Sequence, residues 1–145
     1  MRTLLAAIDF SPVSDRVIEL GAQLARLNSG KLWLLHVAAP EPDFVGFKTG
    51  PQSVRDHLAA ELRKAHAELQ EKTARLAADG LDAAALMVQG PAAETILHEA
   101  GRLGADAIVV GSHGHGALFR AIVGSVSEQV LADSRVPVIV VPSER

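Results

Sequence analysis

Residues 107–116 read Ala107-Ile108-Val109-Val110-Gly111-Ser112-His113-Gly114-His115-Gly116, and the glycine series closes at Gly124-Ser125. Four apolar residues in succession, with no polar alternation, describe a strand covered on both faces, as in a parallel sheet flanked by helices. The glycines that follow let the backbone turn sharply and let N–H groups approach a neighbour closely. Ser125 then opens a helical pattern. Buried strand, glycine loop and helix start form one βα unit.

The same unit recurs in both directions. Apolar, β-rich runs lie at residues 3–8, 31–37, 83–88 and 136–141. Helical patterns separate them. Ser11-Pro12 supplies a cap and a proline suited to the first helical position. Val13, Val17, Leu20, Leu24 and Leu27 then share one face, and Asn28-Ser29-Gly30 ends the helix. A long helix is predicted over residues 54–78, with Leu58, Leu62, Leu69 and Leu76 facing the core and Asp79-Gly80 as its stop. Pro91 starts a third, with Ile96, Leu97, Ala100 and Leu103 inward and Gly104 behind it. The fourth runs from Ser125 to about Asp133-Ser134. Strand and helix alternating throughout imply right-handed βαβ crossovers. The expected architecture is α/β, an open five-stranded parallel sheet of order 3-2-1-4-5 with helices on both faces. The irregular segment at residues 39–52, with Pro40, Pro42, Gly46, Gly50 and Pro51, is expected to be a mobile loop after the second strand.

Composition narrows the function. With 145 residues, 48% of them apolar, the chain is expected to be one domain, 1–145, with a sizeable core. It has no cysteine, which fits a reducing compartment. The 14 basic and 17 acidic side chains are interspersed and aromatics are 3%, so neither a basic face nor a base-stacking platform for nucleic acid is expected. The N-terminal apolar stretch meets Asp9 at once, too soon for a signal peptide, and no run approaches the ~20 apolar residues of a membrane span. A cytoplasmic location is expected.

Open α/β sheets bind ligands beyond the carboxyl ends of their strands, where strand order reverses. In order 3-2-1-4-5 that point falls between strands one and four, after Ile8 and Val110. Asp9-Phe10-Ser11 and the glycine loop therefore face one crevice. A nest of N–H groups and the positive end of the helix at Ser125 suit phosphate. Turn glycines and a capping box, Ser125-x-x-Glu128, explain the same residues with no ligand. The residues alone leave both readings open. Neither the dinucleotide G-x-G-x-x-G nor the lysine-bearing phosphate loop is present.

Gly111-x2-Gly114-x9-Gly124-Ser125 resembles the nucleotide-binding pattern of the universal stress protein (UspA-like) family. The resemblance covers nearly the whole chain. Ala6-Ala7-Ile8-Asp9-Phe10-Ser11, Leu34-Leu35-His36-Val37, Gly90-Pro91 and residues 136–142 are similar to further landmarks of that family, in order. It implies a Rossmann-like fold of the adenine nucleotide alpha hydrolase kind and membership of the ATP-binding subgroup, with ATP accompanied by Mg²⁺. By position it implies that Asp9 contacts the ribose or adenine side, the backbone of Val37 reads the adenine edge, and Gly111 sits near the ribose. Gly114, Gly124, Ser125 and Val126 are then expected to hold the phosphates, with Ala7 and Val110 in the lining. It also implies stress adaptation and a homodimer through the last strand, across Val138–Val141. That apolar run is read as a sheet edge, and bare apolar edges tend to be covered or paired.

Other residues carry alternatives. His113 and Arg120 are candidates for phosphate or Mg²⁺ contacts, or solvated loop residues. His113-x-His115 is the only close histidine pair, and no metal site is expected from it. His36 reads as a hydrogen-bonded core residue, and His57, His66 and His98 as solvated. Asp9 fits a helix-cap partner as well as a ligand contact. Ser11 reads as a cap. Trp33 is expected to pack on the sheet. Phe44 and Phe47 cover either a nucleotide or an interface. The leading function is a nucleotide-responsive binding protein. The alternatives are a slow ATP hydrolase or nucleotidyl-transfer enzyme, and a scaffold dimer that binds no nucleotide.

Overall fold

The computed structural model describes residues 2–39, 52–112 and 124–143. Five strands and four helices alternate along them: β1 (Thr3–Ile8), α1 (Ser14–Leu27), β2 (Lys31–Ala38), α2 (Gln52–Ala78), β3 (Asp82–Gln89), α3 (Ala92–Leu103), β4 (Ala107–Gly111), α4 (Ser125–Asp133) and β5 (Val138–Val141). The strands form one sheet of order β3-β2-β1-β4-β5, and each pairing is parallel.

Successive side chains of a strand point to opposite faces, and here both faces are covered. Leu4, Ala6, Leu32, Leu34 and Val109 pack with Val17, Ile18 and Ala22 of α1 and Leu69 of α2. Leu5, Leu35, Ile108 and Val110 pack with Ala93, Ile96 and Ala100 of α3 and Val130 of α4. The unbroken apolar runs of β1, β2 and β4 follow from this double burial. So does their stability: each fully buried Leu or Ile contributes roughly 1.5–3 kcal/mol of transfer free energy.

Several boundaries differ from the sequence expectation. α1 opens at Ser14, not Pro12, because Ser11 and Ser14 close a turn first: Ser14 N donates to Ser11 O at 2.9 Å. The buried stripe of α1 is Val17, Ile18, Gly21, Ala22 and Ala25, and Leu27 is 82% exposed. Small residues win that face because the helix lies close to the sheet. A β-carbon on Gly21 would already sit 3.0 Å from Leu32 Cδ1. On α2, Leu69 and Thr73 are the buried residues. Leu58 and Leu62 line a cavity of about 200 Å³ beside the ends of β2 and β3 instead of filling the core. Pro137 precedes β5 and joins the ladder only as an acceptor, from Ile108 N at 3.0 Å, so the strand begins at Val138. The expected loop at residues 39–52 falls mostly outside the described residues, as do Phe44 and Phe47.

Candidate functional site

β1 and β4 are neighbours whose following helices lie on opposite faces, so the switch point lies beyond Ile8 and Gly111. The register pairs Ala6 with Val109. Continued two residues, it sets Ile8 level with Gly111. On the other side β1 pairs Ala7 with Leu35 and Ile8 with His36. Ala7, Asp9, Val37, Val110 and Gly111 therefore line the carboxyl ends of three adjacent strands. Val110 is buried, Ala7, Val37 and Gly111 are half-buried, and Asp9 is exposed.

The turn after β1 is built around Asp9. Its Oδ1 accepts hydrogen bonds from Ser11 N at 3.0 Å and Ser14 Oγ at 3.2 Å. Asp9 thus steadies the entry to α1, the cap role that Ser11 was expected to fill. Both bonds fall on Oδ1; among the described residues none falls on Oδ2. Phe10 follows with φ 61°, a conformation that bulky L residues seldom adopt. The Ser11 hydroxyl is buried and, among the described residues, has no hydrogen-bond partner. Such an orphan costs about 1–3 kcal/mol.

Opposite it, Gly111 ends β4 against Val13. A β-carbon there would lie 2.4 Å from Val13 Cγ1. Its carbonyl accepts the buried Ser127 hydroxyl at 2.5 Å. Ser112 next ties three pieces together. Its N–H donates to Val141 O at 2.8 Å, its carbonyl accepts from Gly124 N at 2.5 Å, and its Oγ accepts from Ser143 N at 3.1 Å. Arg16 adds a side-chain hydrogen bond to the carbonyl of Pro142.

Gly124 is the N-cap of α4, and no side-chain cap bond forms. Ser125 is the first helical residue, so the alternative reading of Ser125-x-x-Glu128 as a capping box does not hold. The first bond inside the helix runs from Glu128 N to Gly124 O at 2.9 Å. The N–H groups of Ser125, Val126 and Ser127 therefore have no partner within the helix. The Gly124 N–H is committed to Ser112. Ser125 and Val126 are exposed at this helix start. The α4 N-terminus thus presents donors with no partner among the described residues, and positive dipole, beside the end of β4.

His113, Gly114 and Arg120, with the His113-x-His115 pair, lie outside the described residues. Among the described residues, no group of three or more His, Cys, Asp or Glu side chains could hold a metal ion, and no helix is long and apolar enough to cross a membrane. His36 donates to a backbone carbonyl as expected of a core histidine, yet it is only half-buried. His57, His66 and His98 are exposed on helices. Sequence reasoning placed Phe10 and Ser112 at the crevice without giving them a role, and missed Ser127. A second serine within the first turn of a helix was the available signal for Ser127.

Fold and crevice define a doubly wound parallel α/β protein with a crevice at its switch point. The family model for the universal stress protein family matches residues 1–142. The chain belongs to that family. It is 32% identical over 143 residues to the universal stress protein YxiE of Bacillus subtilis, covering 95% of this chain and 97% of that one. It is 31% identical over 140 residues to a universal stress protein of Thermus aquaticus, covering 97% and 98%. Among solved structures, the universal stress protein UspA from Lactobacillus plantarum superposes with a TM-score of 0.84 at 21% identity, covering 97% of each chain. A universal stress protein from Archaeoglobus fulgidus in complex with dAMP gives 0.70 at 19% identity, covering 97% of each. A universal stress protein in complex with cAMP gives 0.72 at 23% identity, covering 99% and 98%.

Proposed function

We propose that this chain binds an adenine nucleotide at the switch-point crevice, with ATP and Mg²⁺ as the preferred form, and acts as a nucleotide-responsive binding protein in stress adaptation. One observation carries this reading. A carboxylate at the end of β1 and the N–H groups of Ser125 and Val126, which have no partner among the described residues, flank Gly111 at the end of β4. The two ends differ in chemistry as a nucleotide does. A carboxylate accepts from sugar hydroxyls and repels phosphate, so Asp9 belongs to the nucleoside. Free N–H groups at a helix start favour anions, so Ser125 and Val126 belong to the phosphates.

Ala7, Val37 and Val110 supply the apolar lining, with the Val37 backbone available to the edge of the base. The orphan Ser11 hydroxyl beside Asp9 fits a site built for a polar partner. Gly114, His113 and Arg120 complete the phosphate end in the same reading. Support also comes from the relatives whose structures contain dAMP and cAMP. The second part of the proposal is a homodimer through the edge strand Val138–Val141, in a cytoplasmic setting.

Mass spectrometry of small molecules released from purified, unboiled protein tests the binding reading. An adenine nucleotide near one equivalent per chain is expected. No nucleotide, together with no thermal shift on adding ATP, would contradict it. At a hundred times the dissociation constant, true binding stabilises by about 2.7 kcal/mol.

A further inference from the structure

The imidazole of His36 reaches from β2 to the last residue of β1, where its Nδ1 lies 2.9 Å from the carbonyl oxygen of Ile8. A carbonyl only accepts, so Nδ1 carries the proton and donates. The same ring lies 4.6 Å from the Phe10 ring, centroid to centroid, tilted by 46°. Phe10 holds φ 61°, and such a conformation persists only where its surroundings enforce it. His36 thus anchors the residue before Asp9 and the residue after it. Ser11 N and Ser14 Oγ fix the carboxylate between them.

Filling space does not explain this histidine. The ring is half-buried and borders the cavity of about 200 Å³ that Leu58, Leu62 and Gln89 also line. What an imidazole adds is the directed bond to Ile8.

We propose that His36 is a positioning residue for nucleotide binding, acting through Asp9 by holding residues 8–10 in the conformation that presents the carboxylate. This inference rests on the nucleotide reading above.

The test measures AMP affinity by titration calorimetry for wild type, H36F, H36N, D9N and the D9N/H36F double variant, each checked by thermal melting. Phenylalanine keeps the ring against Phe10 and removes the donor. Asparagine restores a donor near the place of Nδ1. H36F is expected to weaken AMP binding about tenfold, and H36N to stay within about threefold of wild type. In the D9N background H36F should add nothing, because its effect passes through the carboxylate. Wild-type affinity in H36F, or a tenfold loss that persists in D9N, overturns the inference while leaving the nucleotide reading intact. Wild type that binds neither AMP nor ATP with Mg²⁺ overturns both, and where only ATP binds, the same comparison of variants is read with ATP. Should H36F fail to fold, ¹⁵N spectra of wild-type His36 decide. The Nδ1–H tautomer is expected in free and AMP-loaded protein, and an Nε2–H tautomer with bare Nδ1 overturns the inference.

Discussion

Gly111 and Val13 stand so close that a β-carbon on Gly111 would lie 2.4 Å from Val13 Cγ1. Strand β4 and the entry to α1 are in direct contact at the crevice, and glycine is what permits it. G111A is therefore expected to destabilise by about 1–3 kcal/mol through overpacking. V13A in the same chain should recover part of the loss, because the two positions share one space. Urea unfolding of both singles and the double variant measures this. Strict additivity would contradict the contact.

Two serines of the α4 start should behave oppositely. Ser127 is buried and gives its hydroxyl to the Gly111 carbonyl, so S127A is expected to cost about 1 kcal/mol of stability. Ser125 is exposed, so S125A should stay within about 0.5 kcal/mol of wild type while weakening nucleotide binding. Denaturation and binding curves on the same preparations separate the two effects. Equal stability losses would sink the distinction.

Asp106 accepts N–H bonds from Thr3 at 2.9 Å and Arg2 at 2.8 Å. Those bonds hold its carboxyl below the ordinary value of 3.8, with the N-terminal charge adding to them and desolvation opposing. A lowered folded pKa gives stability that is complete above the unfolded value and lost as pH falls through the folded one. The melting-temperature gap between wild type and D106N is expected at neutral pH and should close below about pH 4. A gap independent of pH would show that the charge on Asp106 is immaterial.

The proposed dimer has a backbone test. Pro137 O and Val141 O accept from Ile108 N and Ser112 N of the β4 side. By alternation, Val138 and Val140 turn their N–H groups to the free edge. V140P removes one outward donor and spares the ladder to β4, as proline on an edge strand can. Sedimentation should show a dimer for wild type and a monomer for V140P. A wild-type monomer at micromolar concentration would contradict the proposed interface.

Most of the fold was legible because double burial writes itself into sequence. Val109 faces α1 and Val110 faces α3 and α4, so neither position could be polar, and the run announces the strand. Strand order followed from the βαβ alternation. Less legible were features fixed by contact across the fold. Ser11-Pro12 resembles a helix start, yet Asp9 holds the turn and moves the start to Ser14. Ser125-x-x-Glu128 fits a capping box, yet the Gly124 bond to Ser112 makes glycine the cap. Leu20, Leu24 and Leu27 looked like the core stripe, but Gly21 and Ala22 lie nearest the sheet. The candidate site residues Asp9, Gly111 and Ser125 were readable as strand end, loop and helix start. Three residues made contacts whose partners had no local signature: His36 with Ile8, Ser127 with Gly111, and Ser112 with Val141, Gly124 and Ser143.

The most direct measurement is titration calorimetry of wild type and G124V with ATP and Mg²⁺, AMP and GTP, alongside thermal melting of both proteins. A valine side chain at Gly124 would stand at the mouth of α4, where the phosphates are expected. One adenine nucleotide per chain should bind saturably, GTP should bind more weakly, and G124V should lose about tenfold or more in affinity with its fold intact. No saturable binding to wild type, or undiminished binding to G124V, would contradict a nucleotide held between Asp9 and the start of α4.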